Sequence, residues 1–161
     1  MASIYDDIRS AFEVNLAAVS GIPSIAWENV SFSPTTGQSY VHVRMVPTVR
    51  EPAVRGQNPQ VYYQGYFLVT CCVPEGTGPS AGDTLANLII DSFEATTDIF
   101  YDNVNDVLLQ ENDAHILLES GQGVLLNNVT RLSIRYAERD LGVQEGSHYH
   151  IPVRIGWYIY A

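Results

Sequence analysis

Two stretches of the chain repeat their apolar residues at the spacing of an amphipathic helix. The first covers residues 3–19, where the repeating apolar residues are Ile4, Ile8, Phe12, Leu16 and Val19. Steps of three and four residues place such side chains on one face of a helix. Ser3 can cap this helix at its start, and Gly21 with Pro23 can end it. We therefore predict an N-terminal helix that packs through one apolar stripe.

A second helix is predicted after the Pro- and Gly-rich break at residues 74–79. Ser80 stands where it could cap this helix, with Asp83 three residues later. Its apolar residues are Ala81, Leu85, Leu88, Ile89 and Phe93. Like the first helix, it should pack against a core through one face.

Other stretches alternate apolar and polar residues with the two-residue period of a β-strand. They cover residues 24–30, 40–46, 60–73, part of 124–136, and 149–160. In the second of these, Val41, Val43 and Met45 should share one side, with His42, Arg44 and Val46 on the other. In the last, Pro152 cannot donate a ladder hydrogen bond, which predicts an edge position or a bulge there.

Two connections stand out from this pattern. Residues 48–59 contain Pro52, Gly56 and Pro59, which predicts an exposed loop at the tip of a β-hairpin. Residues 97–123 mix apolar residues with six carboxylates and no cation, and we interpret them as one or two short strands with acidic connections.

The predicted order of elements is α-β-β-β-α-β-β-β. Strands that follow one another in hairpins favour an α+β fold, with two helices packed on an antiparallel or mixed sheet and one protruding hairpin. No repeat or linker divides the chain, so we expect a single domain over residues 1–161.

Composition changes the picture in one respect, the nature of the surface. Hydrophobic residues make up 46% of the chain and charged residues only 16%, against the roughly 25% usual for a soluble domain. Ten residues are Tyr. A surface poor in charge and rich in Tyr favours partial coverage by partner proteins, while the alternative is that Tyr merely fills strands.

The charge balance argues against nucleic-acid capture. The net charge is −10, and all eight cations are Arg. Neutralising phosphates requires a basic footprint, which this chain lacks. Arginine is suited to planar ion pairs at protein interfaces, so the bias towards Arg is typical of a subunit in an assembly.

No motif of catalysis or cofactor binding is present, and we expect neither an enzyme nor a cofactor. The chain has no Gly-rich phosphate loop and no nucleophile elbow. Cys71 and Cys72 are adjacent in a predicted strand, should point to opposite sides, and are expected to be reduced. His148 and His150 could begin a metal site, but no further ligands can be named, so we expect no metal. The acidic run from Asp98 lacks the spacing of a calcium loop.

Nothing in the sequence indicates a membrane partner. No stretch approaches the roughly 20 apolar residues of a membrane-spanning helix, and the first residues do not have the pattern of a secretory signal. We therefore expect the protein to be made in the cytoplasm.

A series of short motifs resembles the tail terminator family of long-tailed bacteriophages, functionally the lambda-like tail terminators, and within it those of T-five-like coliphages. In chain order the motifs are Gly21-Ile22-Pro23, Ile25-Ala26-Trp27-Glu28-Asn29-Val30, Phe32-Ser33-Pro34, Tyr62-Tyr63-Gln64-Gly65, Val73-Pro74-Glu75-Gly76-Thr77-Gly78-Pro79 and Tyr149-His150-Ile151-Pro152-Val153-Arg154-Ile155. The resemblance covers nearly the whole chain and is weaker over residues 98–123, where this chain is longer than typical relatives.

The resemblance implies a structural virion protein. It implies a ring, usually of six subunits, at the head-proximal end of the tail, assembled in the host cytoplasm. The ring would contact the tail tube protein and a head-completion or connector protein, and DNA would only pass through its lumen. Candidate contacts with subunits or tube are Arg50, Arg55, Arg131, Arg135 and Arg154. Candidates for an acidic lumen are Asp98, Asp102 and Asp106.

Two other classes of function stay open at this point. The chain could be a head-completion or tail-tube subunit of a phage, which would share most of these surface properties. It could also be a small-ligand-binding or enzymatic domain, which would require a pocket with convergent polar groups.

Overall fold

The computed structural model describes residues 4–53, 60–94, 98–102 and 129–161. The elements in chain order are α1 (Ile4–Ala17), β1 (Ser24–Ala26), β2 (Tyr40–Pro52), β3 (Val61–Pro74), α2 (Pro79–Ser92), β4 (Asp98–Asp102), β5 (Val129–Arg139), β6 (Val143–Glu145) and β7 (His148–Tyr160). In this part of the chain, no helix is long and apolar enough to cross a membrane.

The strands form one mixed sheet, and two helices pack on one of its sides. The strand order is β1-β2-β3-β7-β5-β4, and the short β6 also pairs with β7. β1 runs parallel to β2, whereas the other pairs are antiparallel. The prediction of an α+β fold with a mixed sheet and two helices is confirmed.

Helix α1 forms where its apolar stripe predicts it. Ile8, Phe12 and Leu16 are fully buried, and the ring of Phe12 stacks on that of Phe67 in β3 at 4.8 Å between centroids. Gly21, at φ 85°, follows the helix in a conformation that glycine adopts without steric cost. Ser3, the predicted cap, lies outside the described residues.

Helix α2 differs from its prediction at its first turn. Gly78 is the N-cap and Pro79 the first helical residue, where a missing N–H costs nothing, so Ser80 lies inside the helix and does not cap it. Gly82 is buried in place of Ala81, which is exposed. A Cβ at Gly82 would lie 2.7 Å from Cδ1 of Ile151, so glycine lets the helix approach β7 closely.

Strand β2 is longer than predicted, and the predicted loop at 48–59 is correspondingly wrong in its first part. The strand runs on to Pro52, opposite Val61, after a bulge between Pro47 and Val49. The bulge inserts Thr48, whose hydroxyl donates to the carbonyl of Gln64. β1 is shorter than predicted and ends at Ala26, before Trp27.

The sequence predicted an edge position or a bulge at Pro152. The edge position is wrong, because β7 lies between β3 and β5, and the pairing with β3 shows no register shift at Pro152. The carbonyl of Pro152 accepts a hydrogen bond from the N–H of Asp140. The nitrogen of Pro152 points in the same direction as this carbonyl, towards the gap between the end of β5 and the start of β6. The ladder is interrupted there, and an interior strand can therefore hold a proline.

The alternation of side chains gives the sheet two different sides. We call the side under α1 and α2 the helix side. Its buried strand residues include Val41, Val43, Met45, Phe67, Val69, Cys71, Val73, Leu132, Ile134, Ile151, Val153, Ile155, Trp157 and Ile159. We call the opposite one the open side, because no helix of the described ranges packs on it.

A bulge in β5 changes which side Tyr136 occupies. With strict alternation, Tyr136 would lie on the same side as Leu132 and Ile134. The register shifts between Ile134 and Tyr136, so that Tyr136 pairs with Gly156 and covers it on the open side. Ala137 packs against the core in its place.

Candidate interaction surface

The open side carries a cluster of tyrosines at the end of the sheet near the C-terminus. Tyr62, Tyr158 and Tyr160 form three ring pairs with centroids 5.1–6.3 Å apart. The hydroxyl of Tyr62 donates to Oε1 of Gln64 at 2.7 Å, and a nitrogen of Arg135 donates to the same oxygen at 3.3 Å. Protein interfaces are enriched in tyrosine and arginine, so this cluster is a candidate contact surface.

A groove of about 690 Å³ lies at the opposite end of the open side. One wall is the segment after β1 and includes Trp27, Val30, Phe32 and Pro34; the other is β6. The floor is formed by strand residues of β2, β3 and β7, namely Tyr40, His42, Thr70, Cys72, His150 and Pro152. The walls also include Asn29 and Glu145, so apolar and polar groups are mixed in both the walls and the floor of the groove.

Two groups in the floor of the groove, the Tyr40 hydroxyl and the Cys72 thiol, are uncharged at neutral pH. Burial, with a hydrogen bond to Cys72, raises the pKa of Tyr40 to about 12. Burial also raises the pKa of the Cys72 thiol, which stays protonated although Nδ1 of His150 is 3.6 Å from its sulfur. A protonated thiol is a poor nucleophile, so this geometry gives no support to covalent catalysis.

The predicted His148 and His150 pair lies on one side of β7, with ring centroids 6.5 Å apart. The buried His148 packs edge-on against Tyr40, and its Nδ1 is 3.0 Å from the Ser147 hydroxyl. His42 shares the groove with His150, whereas His115 lies outside the described residues. Within the described ranges, no group of three or more His, Cys, Asp or Glu could hold a metal.

The candidate arginines lie in different environments and do not form one cluster. Arg50, in β2, places its guanidinium 5.8 Å from the ring centroid of Tyr63 on the helix side. Arg135 contacts Gln64 on the open side, and Arg154 pairs with Asp140 of its own chain, which raises the pKa of Arg154. Arg131 lies in β5 opposite Phe100, and Arg55 is outside the described residues.

The candidate acidic residues are placed only in part. Asp98 and Asp102 are the first and last residues of β4, paired with Ser133 and Val129 of β5 at one edge of the sheet. Asp106 lies outside the described residues.

The free edge of β2 is protected against pairing with another strand, which the sequence did not reveal. Oε2 of Glu28 accepts the N–H of Met45 at 3.1 Å, and Glu28 also pairs with Arg9. Pro47, two residues further, has no N–H, and the bulge follows. Such features block strand addition, so contacts with partners should use the sides of the sheet.

Exposed apolar residues mark both sides of the molecule, and sequence reasoning missed them. Among the described residues the large exposed ones are Val14, Val30, Leu141, Val143 and Tyr160. Val30 and Val143 line the groove, and Leu141 lies two residues before Val143. Val14 is on α1 and therefore on the helix side. Val14 lies on a helix surface, and Val30 and Leu141 lie in connections, where the alternation of a strand gives no signal.

A small α+β domain whose sheet has a tyrosine cluster on the side away from its helices has the features of a structural subunit. A family model described as phage tail terminator protein matches residues 7–157, and the chain belongs to that family. It is thus a structural component of a bacteriophage tail. The finer assignment to T-five-like coliphages stays a prediction.

The fold is also found among solved structures. One of them is 20% identical, covers 96% of this chain and 94% of its own, and superposes with a TM-score of 0.59. At that identity the likeness shows the fold alone. No curated protein sequence matches the chain.

Proposed function

We propose that this protein caps the tail tube, stops its polymerisation and provides the surface to which the head is joined. Membership of the tail terminator family over residues 7–157 is the observation that carries the proposal. The protein acts as a ring, with six subunits as the expected number, at the head-proximal end of the tail. It assembles in the cytoplasm of the host.

The two sides of the sheet support a ring. A closed ring of identical subunits uses a heterologous contact, in which two different patches meet. The helix side and the open side differ in shape and composition, so each subunit can offer one patch to each neighbour. The blocked edge of β2 makes an arrangement of continuous strands between subunits less favourable.

The partners follow from this position in the tail. One end of the ring contacts the tail tube protein, and the other contacts a head-completion or connector protein. Arg50, Arg55, Arg131, Arg135 and Arg154 are the proposed contacts to subunits or tube. DNA only passes through the lumen, where Asp98, Asp102 and Asp106 would repel phosphates.

Electron microscopy of tails assembled with and without the protein tests the proposal. We expect tubes of regular length with a ring at one end when the protein is present, and over-long tubes without it. Tubes built of the protein itself would show a tube subunit instead. Binding only to head connectors would show a head-completion protein.

A titration of duplex DNA with assembled rings tests the role of the acidic charge. Each phosphate contact adds about −0.9 to the log–log salt slope of binding. With a net charge of −10 we expect no binding at moderate salt and no measurable slope. Tight, salt-sensitive binding would show a basic lumen or ring face and would contradict passive passage.

A further inference from the structure

Three rows of residues cross the open side, and the pairing of the strands fixes the order within each row. Counted from β2 through β3 and β7 to β5, the first row is Arg44, Leu68, Arg154 and Glu138. The second row is Val46, Tyr66, Gly156 and Tyr136. The third row is Val49, Gln64, Tyr158 and Ser133, and the tyrosine cluster continues from it towards the C-terminus.

The first row has a positive end and a negative end. Arg44, at the β2 end, is exposed and forms no ion pair with another residue of the described ranges. Glu138, at the β5 end, is also exposed and lies beside Arg154, which is already paired with Asp140. The two ends are three strand spacings apart, about 14 Å, so they do not neutralise each other within one chain.

A two-fold axis along the strands makes this pattern complementary to itself. Rotation about an axis between β3 and β7 turns one open side onto that of a second copy and places β2 opposite β5. Arg44 of each copy then faces Glu138 of the other. In the next row, Tyr66 faces Gly156 of the second copy, over which the ring of Tyr136 lies. Packed sheets cross at roughly 30°, which shifts facing residues by distances that a long arginine side chain can span.

The charges select this orientation of the two copies. An axis that crosses the strands at the first row would place Arg44 opposite Arg44 and Glu138 opposite Glu138, and like charges in a contact repel each other. The two ends of the row match each other, so a second copy of the chain is a complementary partner for this surface.

The size of the surface predicts a weak contact. The part of the open side outside the groove covers roughly 500 Å², from four strands about 4.8 Å apart over about 25 Å of strand length. Two copies would together bury about 1,000 Å², less than the roughly 1,200–2,000 Å² of stable interfaces and within the range of weak ones. Such a contact forms and separates readily.

We propose that the free protein forms a weak two-fold dimer in which two open sides pack face to face, with Arg44 of each copy against Glu138 of the other. This contact is isologous and closes after two copies, unlike the contact of a ring. The dimer covers the side of the sheet that the proposed ring offers to a neighbour, so it has to separate before a ring closes. The dimer itself goes beyond the proposed function and is tested without tails.

Sedimentation equilibrium of the purified protein over a wide range of concentrations tests the dimer. We expect the wild type to pass reversibly from monomer to dimer as its concentration rises. R44E and E138R should each weaken the dimer at least about tenfold, because each variant places like charges opposite each other at two symmetric positions. Both side chains are exposed, so the fold should tolerate either change, and thermal unfolding of each variant checks this.

A charge exchange and a matched control make the test specific. The double variant R44E/E138R should restore the dimer, because the two facing charges have exchanged places. The two positions are about 14 Å apart in one chain, so a rescue reports a contact between copies. D91R changes the charge by the same amount as E138R, but on an exposed residue of α2, and should leave the dimer unchanged.

The outcomes separate this inference from the proposed function. A wild-type protein that stays monomeric at the highest concentration, or that closes into rings without tails, would overturn the inference and leave tail capping intact. A dimer that R44E does not weaken, or that the double variant does not restore, would use another surface and would overturn it as well.

Discussion

The two sides of the sheet are formed by the same strands but differ in burial and in residue type. On the helix side, consecutive inward residues of β3 and β7 are fully buried under two helices. On the open side, the intervening residues are mostly polar or aromatic and many are half-buried; Thr70 and His150, for example, line the groove. Because strand residues alternate, one set of strands can close a core and present a binding surface. The difference teaches that the buried core lies on one side of the sheet, while the other side leaves polar and aromatic groups accessible.

The largest expected difference is between neighbouring aromatic residues of β3. Phe67 is 1% exposed and stacks on Phe12, whereas Tyr66 is half-buried on the open side. Phe67→Ala should lower the free energy of unfolding by about 3–5 kcal/mol, because it leaves a cavity in the core. Tyr66→Ala should cost about 1 kcal/mol. Urea unfolding measures both, and equal losses would contradict the division of roles.

Two glycines, each covered by an aromatic ring, allow the helix side and the open side to be compared at the same type of substitution. A Cβ at Gly65 would lie 2.5 Å from the Val46 carbonyl oxygen and 2.6 Å from the Trp157 ring. Backbone cannot easily give way, so Gly65→Ala should cost about 2–3 kcal/mol. A Cβ at Gly156 would instead meet the ring of Tyr136, which is partly exposed and can swing outwards. Gly156→Ala should therefore cost less in thermal unfolding, and the reverse order would show that Tyr136 is fixed.

The buried thiol of Cys71, on the helix side, should make the free energy of unfolding depend on pH. Burial on the helix side raises the pKa of Cys71 from 9.0 to about 12. The folded state thus favours the neutral thiol, so this stability is complete below pH 9 and is lost as the pH rises towards 12. Linkage gives a loss of about 2 kcal/mol between pH 8 and pH 10.5.

Urea unfolding at these two pH values measures that loss, with Cys71→Ala as the control. The variant should be less stable at pH 8 but should lose less stability on going to pH 10.5. If its loss equals that of the wild type, other groups such as Tyr40 account for the pH dependence.

The smallest expected effect concerns the ion pair of Arg154 and Asp140. Both side chains are more than a third exposed, at 38% and 39%. Exposed ion pairs contribute about 0–1 kcal/mol, so Asp140→Ala should change the free energy of unfolding by less than about 1 kcal/mol. A loss of several kcal/mol would place this pair among the stabilising contacts of the fold.

The sequence by itself determined most of the elements and, for α1 and the strands β2 and β7, which residues share one side. The three- and four-residue steps of Ile8, Phe12 and Leu16 and the alternation from Ile151 to Ile159 correspond to buried positions in the structure. These patterns are local, because the period of a helix or strand links side-chain direction to position along the chain. The motif series also predicted the family that the match over residues 7–157 confirms.

Only the tertiary structure decided where that regularity is interrupted. The bulge at Arg135 moves Tyr136 to the open side, Pro152 is accommodated in the ladder gap beside Asp140, and Glu28 blocks the edge of β2. Each depends on a partner from a distant segment of the chain. The groove has the same origin, because its walls come from the segment after β1 and from β6. They face each other only because β2, β3 and β7 are neighbours in the sheet. Strand neighbours are chosen by packing across the whole core, which no local pattern encodes.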